Sequence, residues 1–137
     1  MDLEITDFVT DADRDKISAG LQEYNLTQSE YINPVDIGIY HKEDGEITAG
    51  LFGKTQGNWM EIDCLWVSEN LRNQGVGSQL LVAAEQEAIR RNCKYCLLNT
   101  YGFQAPYFYI KHGYREVFVL EHLPINGTCH YYVKNLI

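Results

Sequence analysis

The sequence predicts a single α+β domain: a mixed, mostly antiparallel sheet with a central parallel β-α-β unit flanked by helices. Alternation with a period of two is found in residues 35–67, and the hydrophobic period lengthens to about 3.6 residues over 75–91. β-favouring segments return after that helix. A chain of 137 residues is also too short to divide comfortably into two independent cores.

The N-terminal segment predicts one short strand and one helix. Residues 3–5 alternate as a strand would, and residues 11–24 carry apolar side chains at helical spacing. Thr10 stands where an N-cap is needed. The stretch from the helix to Pro34 is expected to be a loop or a poorly marked second helix.

Three β-favouring segments then predict an antiparallel meander. Residues 35–41 alternate, residues 43–45 supply a Glu-Asp-Gly turn, and residues 46–54 form the return strand. Residues 59–67 are the longest β-favouring run in the chain. Glycine and alanine residues in the return strand weaken it as a strand but would permit close approach by another backbone.

The rest of the chain predicts the β-α-β unit, a short helix and a final hairpin. A helix over 75–91 and a strand over 94–99 follow the meander, so the strands flanking this helix should be parallel. Pro106 suits the first turn of another helix, which Gly113 would end. The last two strands are expected over residues 114–121 and 129–137.

The net charge and the N-terminal sequence limit which partners and which cell compartment are expected. A net charge of -8 argues against nucleic acids and anionic membranes, which both require a cationic surface, and favours basic or amine ligands. The N-terminus lacks a basic segment followed by an apolar one, and no later stretch is apolar for long enough to span a bilayer. A cytoplasmic protein is therefore expected.

Cys93 and Cys96 have the spacing of a redox motif or of half a zinc site. A zinc site needs a second ligand pair, and the histidines are scattered along the chain. A redox pair normally begins a helix, whereas Cys93 falls at the end of one. The expected role of both thiols is packing, and no metal site is expected.

The turn before the long helix is the main candidate for chemistry. Residues 72–77 read Arg-Asn-Gln-Gly-Val-Gly. Glycines let main-chain N–H groups converge, and the helix that follows contributes its partial positive end, an arrangement that binds phosphate. Arg72 could add a charge-assisted hydrogen bond. A glycine-rich connector with no ligand is the alternative.

Two nucleotide-binding motifs do not fit this chain. A dinucleotide fingerprint would need a glycine where Leu80 stands, and a P-loop would need Gly-Lys-Ser or Gly-Lys-Thr at the helix start. Residues 53–55 read Gly-Lys-Thr, but Thr48 occupies the position of the required first glycine and no long helix follows.

Two segments together resemble the GNAT superfamily of N-acetyltransferases. Residues 72–77 resemble its Arg/Gln-x-x-Gly-x-Gly/Ala pyrophosphate motif, and the preceding strand ends at Val67 as that motif requires. Residues 105–114 resemble its Ala-x-x-x-Tyr-x-Lys-x-Gly-Phe/Tyr helix, and residues 100–114 resemble a bacterial subgroup with Phe-Gln-Ala-Pro before the tyrosine. The resemblance is specific over residues 59–121 and topological before them.

This resemblance implies an enzyme that transfers an acetyl group from acetyl-CoA to a primary amine, by direct attack in a ternary complex. It implies that Tyr109 protonates the departing CoA thiolate. It also implies that main-chain groups at the end of one strand pair with the pantetheine arm and that the turn and the helix start hold the pyrophosphate. The residues concerned are Leu65, Trp66 and Val67 on the strand, and Arg72, Asn73, Gln74, Gly75, Val76, Gly77 and Ser78 after it.

One departure from the family pattern changes the list of cofactor contacts. Gly102 stands where the superfamily often has an asparagine, three residues before the motif alanine. Asn99, at the end of its strand, is the nearest substitute. Phe108 could wall the cofactor, although aromatic side chains on a helix are more often core.

The general base stays open between two carboxylates. Glu61 and Asp63 are two apart on one strand and would face the same side. Glu61 is slightly favoured because its strand position resembles that of the acidic residue in several relatives. His112 and His130 could act as bases on chemistry alone, but no motif accompanies either.

Three functions remain open after this reading. The acceptor could be a small molecule, or a protein N-terminus or lysine, or the chain could be a silent acyl-CoA-binding regulator. The residues before the third meander strand, which would build the acceptor groove, contain no recognisable motif. A homodimer is possible because relatives often form one.

Overall fold

The order of helices and strands in the computed structural model, which describes residues 1–137, follows the predicted order with one exception. Residues 3–5 form no strand, so that prediction was wrong. A strand exists only where its main-chain groups pair with a neighbour, and none pairs here. The elements are α1 (Asp11–Asn25), β1 (Val35–Glu43), β2 (Glu46–Gln56), β3 (Trp59–Val67), α2 (Val76–Arg90), β4 (Tyr95–Tyr101), α3 (Pro106–Lys111), β5 (Arg115–Glu121) and β6 (Thr128–Asn135).

Residues 1–33 form one compact unit, which contains α1. The predicted cap is confirmed, because the Thr10 hydroxyl accepts a hydrogen bond from the Asp13 N–H at 3.1 Å. The acidic side chains of Asp11 and Asp13 lie in the first turn, where their negative charge interacts favourably with the positive end of the helix dipole. The Gln22 side-chain amide of α1 donates a hydrogen bond of 2.7 Å to the side-chain oxygen of Asn33, in the segment that follows the helix.

Residues 34–137 form the second compact unit, which is built on one six-stranded sheet. The strand order is β1-β2-β3-β4-β6-β5. β3 and β4 are parallel, and every other neighbouring pair is antiparallel. The predicted α+β class, with a parallel β-α-β unit inside a mostly antiparallel sheet, is confirmed.

The hairpin between β1 and β2 turns at Asp44 and Gly45. Both residues have positive φ, 51° and 81°. Two successive residues of this kind make a turn whose twist matches that of the flanking strands. The predicted turn is therefore confirmed.

The core of this unit lies between the sheet and α2. Leu80, Leu81, Ala84 and Ala88 form the buried stripe of α2. They pack against buried side chains of the sheet, among them Leu51, Met60, Leu98 and Tyr132. None of the helices is both long and apolar enough to cross a membrane.

Cys93 and Cys96 belong to this core, as expected for packing thiols. Both are buried, and Cys93 follows the last turn of α2 while Cys96 lies in β4. Burial raises the pKa of Cys96 to about 12, with the Tyr114 hydroxyl opposing the shift. Such a thiol stays protonated and unreactive at neutral pH.

Candidate active site

A gap between β3 and β4 forms the candidate site. The two strands pair only through residues 59–62 and 95–98, although they continue to Val67 and Tyr101. Beyond the paired stretch the strands separate, and the space between them opens into a cleft of about 960 Å³. Every residue that lines the cleft belongs to residues 34–137.

A β-bulge in β3 lies where the strands begin to separate. Phe52 of β2 pairs with Cys64, and Gly53 pairs with Ile62, so Asp63 is the extra residue of β3. A bulge bends its strand and increases the local twist, which turns the end of β3 away from β4.

Gly53 makes this bulge possible. A Cβ atom at Gly53 would collide with the main-chain oxygen of Glu61. The close approach that the glycine content of this strand predicted is therefore confirmed. Past the bulge, Leu65 and Val67 pack against the same core as Met60 and Ile62 before it.

The end of β3 presents main-chain groups to the cleft. The Ser68 N–H donates to the Thr48 oxygen of the β2 side at 3.0 Å. Because successive residues of a strand direct their main-chain groups to opposite sides, those of Val67 and Leu65 point away from β2. Those of Trp66 point toward β2, although Trp66 also lines the cleft.

The turn from residue 72 to residue 78 leaves main-chain donors unused, and all of its residues except Gln74 line the same cleft. Asn73 and Gly75 have φ of 63° and 80°, and Gly75 is the residue before α2. No N–H from residue 73 to residue 78 donates within the protein, and the first to do so is Gln79, to the Gly75 oxygen at 3.0 Å. Converging N–H groups at a helix start form an anion site.

Side chains of the turn hold it in place. The Arg72 Nε donates to the main-chain oxygen of Val67 at 3.0 Å, and the Gln74 amide donates to the Asn70 oxygen at 2.9 Å. The other guanidinium nitrogens of Arg72 make no hydrogen bond within the protein. They are available to an anion at the turn.

The start of α2 approaches α3 closely. A Cβ atom at Gly77 would lie 3.4 Å from the Phe108 ring, so Phe108 forms a wall beside the helix start. The Ser78 hydroxyl and the His112 Nε2 are 2.9 Å apart. His112 also contacts the Phe108 ring, with 4.9 Å between ring centres. His112 thus orients a residue of the turn, although it does not line the cleft.

Tyr109 is the buried polar side chain that lines the cleft from α3. It is 9% exposed and packs edge-on against Phe108 and Tyr114. Its hydroxyl has no hydrogen-bond partner within the protein but is not sealed from solvent. Burial, with smaller contributions from Cys64 and Cys96, raises the pKa of Tyr109 to about 12. The hydroxyl is therefore a protonated donor at neutral pH.

The two candidate carboxylates occupy different places. Asp63 is exposed and lines the cleft. Glu61 does not line it, and its carboxylate lies 3.8 Å from the Lys54 ammonium.

Of the remaining predicted residues, Asn99 lines the cleft and His130 does not. Asn99 lines the cleft, where its side-chain oxygen accepts from the Cys129 thiol at 3.7 Å. His130 lies outside it and bonds the Glu116 carboxylate at 2.6 Å. A Cβ atom at Gly102 would collide with the Thr128 hydroxyl, so a larger residue there would require the Thr128 side chain to move.

Sequence reasoning missed two features of the cleft. Gln104 lines the cleft, and its side-chain oxygen accepts from the Tyr101 N–H at 2.7 Å and from the Thr100 hydroxyl at 3.0 Å. Cys64 also lines the cleft. Gly53 was the available signal for Cys64, since a glycine inside a strand often marks a bulge that redirects the side chains opposite it.

Comparison with known proteins gives the family of this chain. Residues 36–116 match the acetyltransferase (GNAT) domain. The blasticidin-S acetyltransferase of Streptomyces morookaense is 39% identical over 95 residues, which cover 69% of this chain and 70% of that protein.

Two crystal structures of acetyltransferases are also similar to it. One, from Bacillus cereus, has a TM-score of 0.78 at 32% identity, and the match covers 96% of this chain and 97% of the Bacillus cereus chain. The other, from Bacillus anthracis and assigned as a streptothricin acetyltransferase, was solved with acetyl coenzyme A. It has a TM-score of 0.66 at 25% identity, and the match covers 77% of this chain and 66% of the Bacillus anthracis chain.

The fold and the cleft together define an acyl-transfer enzyme. The chain belongs to the GNAT acetyltransferase family, and it is an N-acetyltransferase.

Proposed function

We propose that this enzyme transfers an acetyl group from acetyl-CoA to the primary amine of a small-molecule acceptor, by direct attack in a ternary complex. The observation that carries the proposal is a single cleft lined both by the turn of unused N–H groups and by the free Tyr109 hydroxyl. The first suits a diphosphate, and the second suits a leaving sulfur.

The proposed path of acetyl-CoA follows the groups that are free to bind it. Residues 73–78 and the guanidinium of Arg72 would hold the diphosphate, with Phe108 beside it. The amides of the pantetheine arm would pair with the main chain of Leu65 and with the Val67 N–H, as an added strand pairs with a sheet edge, while the Val67 oxygen holds Arg72. Asn99 faces this path from β4. The acetyl-CoA bound by the Bacillus anthracis protein supports the assignment of this ligand.

The proposed chemistry uses two groups at the end of that path. A main-chain N–H at Leu65 would stabilise negative charge as it develops on the acetyl oxygen. Tyr109 would donate its proton to the CoA sulfur as the carbon–sulfur bond breaks. Because its pKa is raised to about 12, it holds that proton across the physiological range.

Asp63 is the carboxylate that we propose to meet the acceptor amine. It stands at the bulge and lines the cleft, whereas Glu61 is occupied by Lys54 and lies outside it. Asp63 would attract the ammonium form and take up a proton from it, directly or through water. This assignment replaces the slight preference for Glu61 that strand position had suggested.

A small cationic or polar amine is the proposed acceptor class. One relative is named a blasticidin-S acetyltransferase, and one structural neighbour is assigned as a streptothricin acetyltransferase; both names denote small-molecule acceptors. The acidic net charge of -8 also favours an amine over an anionic acceptor.

The proposal is tested by incubating the enzyme with acetyl-CoA and a panel of amines, with acetylated products identified by mass spectrometry. The panel contains blasticidin S, streptothricin, spermidine and a peptide with a free N-terminus and a lysine. Turnover of a small amine in preference to the peptide supports the proposal. Preferred turnover of the peptide would make the enzyme a protein acetyltransferase. Acetyl-CoA binding without any turnover would identify a regulatory acyl-CoA-binding module instead.

A further inference from the structure

Cys64 differs from the other cysteines of the chain in its surroundings. Cys93, Cys96 and Cys129 are at most 4% exposed, whereas Cys64 is exposed and lines the cleft. Its position follows from the bulge, which inserts Asp63 and places Cys64 opposite Phe52 at the point where β3 leaves β4. The reaction proposed above assigns no role to this thiol.

A second feature of the cleft indicates what kind of ligand atom comes near Cys64. The Tyr109 side chain is more than nine-tenths buried, and its hydroxyl lines the same cleft without a partner. Cys64 lines this cleft too, and it directly precedes Leu65, whose N–H is proposed to face the acetyl oxygen. A ligand sulfur that accepts a hydrogen bond from Tyr109 would therefore lie in the same cleft that Cys64 lines.

Residues from both faces of the sheet line the cleft. Leu65 and Leu98 line it from the core face of their strands. Cys64 directly precedes Leu65 in β3, and Tyr101 directly follows the buried Thr100 in β4. Because successive side chains of a strand point to opposite faces, Cys64 and Tyr101 line the cleft from the face away from the core. A group attached beyond the ligand sulfur can thus leave by the face away from α2.

We propose that Cys64 is a modification site for disulfides of coenzyme A, which would attach CoA to Cys64 and close the active site. The proposal rests on acetyl-CoA being the substrate of the cleft. The Cys64 thiolate attacks the sulfur of the cleft-bound half, a new sulfur–sulfur bond forms and the original one breaks. The other half leaves as a thiolate and takes up the proton that Cys64 released. No outside oxidant is needed, because one disulfide replaces another.

Selectivity for CoA follows from the diphosphate turn. Residues 73–78 would bind the CoA half and hold its sulfur beside Cys64 at a high effective concentration. A disulfide without a diphosphate lacks that attachment and must meet Cys64 from solution. The modified enzyme would hold CoA in the position of the substrate, so acetyl transfer would stop until a thiol reductant releases it.

The inference is tested by incubating the enzyme with CoA disulfide at mildly alkaline pH. Intact mass and peptide mapping identify the modified residue. Glutathione disulfide at the same concentration is the comparison reagent. We expect one CoA adduct at Cys64, formed roughly tenfold faster or more than the glutathione adduct because binding raises the local concentration. Excess acetyl-CoA should slow its formation, and dithiothreitol should reverse both the adduct and the loss of acetyl transfer. Cys64→Ser should form no adduct, and CoA disulfide should not lower whatever activity that variant has.

CoA binding, measured separately by calorimetry with unmodified CoA, distinguishes the possible failures. A chain that binds no CoA overturns the proposed function and this inference together. The inference alone is overturned if the chain binds CoA but shows any one of three results. These are no adduct, an adduct at a buried cysteine, or an equally fast reaction with glutathione disulfide.

Discussion

The Nε of Arg72 donates a hydrogen bond of 3.0 Å to the main-chain oxygen of Val67. This bond ties the turn before α2 to the last residue of β3. The main-chain donors of residues 73–78 are thereby held at one end of the strand whose other groups line the cleft. The predictions below test the parts of this arrangement separately.

Gly77→Glu should abolish acetyl-CoA binding while the chain still folds. The new carboxylate would stand at the proposed diphosphate site, and a like charge at about 4 Å costs several kcal/mol at an effective dielectric constant of about 20. The Kd measured by calorimetry should rise by at least about 100-fold. Gly77→Ala is the matched control, because its Cβ would lie at an ordinary 3.4 Å from Phe108. Equal Kd values for the two variants would contradict the diphosphate assignment.

Tyr109→Phe should lower kcat by roughly 10²- to 10⁴-fold while the Kd for acetyl-CoA changes little, since the variant loses a proton donor and keeps the ring. Tyr107→Phe is the control, because Tyr107 is 80% exposed and lies outside the cleft. An unchanged kcat in Tyr109→Phe would remove the acid from the mechanism.

The pH profile gives a separate check on Tyr109. Its pKa is raised to about 12, so its protonated form is complete below that pH and is lost only as the pH rises through it. We expect no alkaline fall in kcat up to about pH 10 from this group. A fall near the ordinary pKa of tyrosine, about 10, that is missing in Tyr109→Phe would show that burial does not protect the hydroxyl.

Asp63→Asn should lower kcat/KM for the amine and leave acetyl-CoA binding intact, because the variant removes the cleft-lining carboxylate that we propose to meet the amine. The expected loss is roughly 10- to 100-fold. Glu61→Gln, which alters the carboxylate beside Lys54, is the matched control and should change kcat/KM by less than about threefold. The reverse pattern would return the role of base to Glu61.

Gly53→Ala should destabilise the protein by about 1 to 3 kcal/mol, because the added Cβ collides with the Glu61 main-chain oxygen at the bulge. Urea unfolding measures the loss. Gly77→Ala, whose added Cβ has room, should stay within about 1 kcal/mol of the parent. If Gly53→Ala is as stable as Gly77→Ala, the bulge does not depend on the glycine.

The parts of the site that were predictable are those written in short segments. The turn at 72–77 predicts its own shape, because glycine at position 75 permits the positive φ that brings the N–H groups together. The helix starting at Pro106 likewise predicts where Tyr109 stands. The strand expected at residues 3–5 was wrong because a strand needs a partner, and no local pattern states whether one exists.

The choice among carboxylates was not predictable in the same way. Glu61 and Asp63 look equivalent as alternate residues of one strand. They differ because the register between β2 and β3 shifts at Phe52 and Gly53, which makes Asp63 the inserted residue. The same shift brings the Cys64 thiol to the cleft, a position that simple alternation would not give it.

The sequence by itself determined the fold class, the strand and helix order after residue 34 and the conformation of the turn at 72–77. Each depends on periodicity or on a backbone conformation within a few residues. Only the tertiary structure decided where β3 and β4 separate, which main-chain groups face the cleft and which side chains reach Tyr109. These depend on the register between strands that are distant in the chain, and register is set by the packing of the whole sheet against α2. The conformation of the turn is thus local, whereas the cleft is a property of the folded sheet.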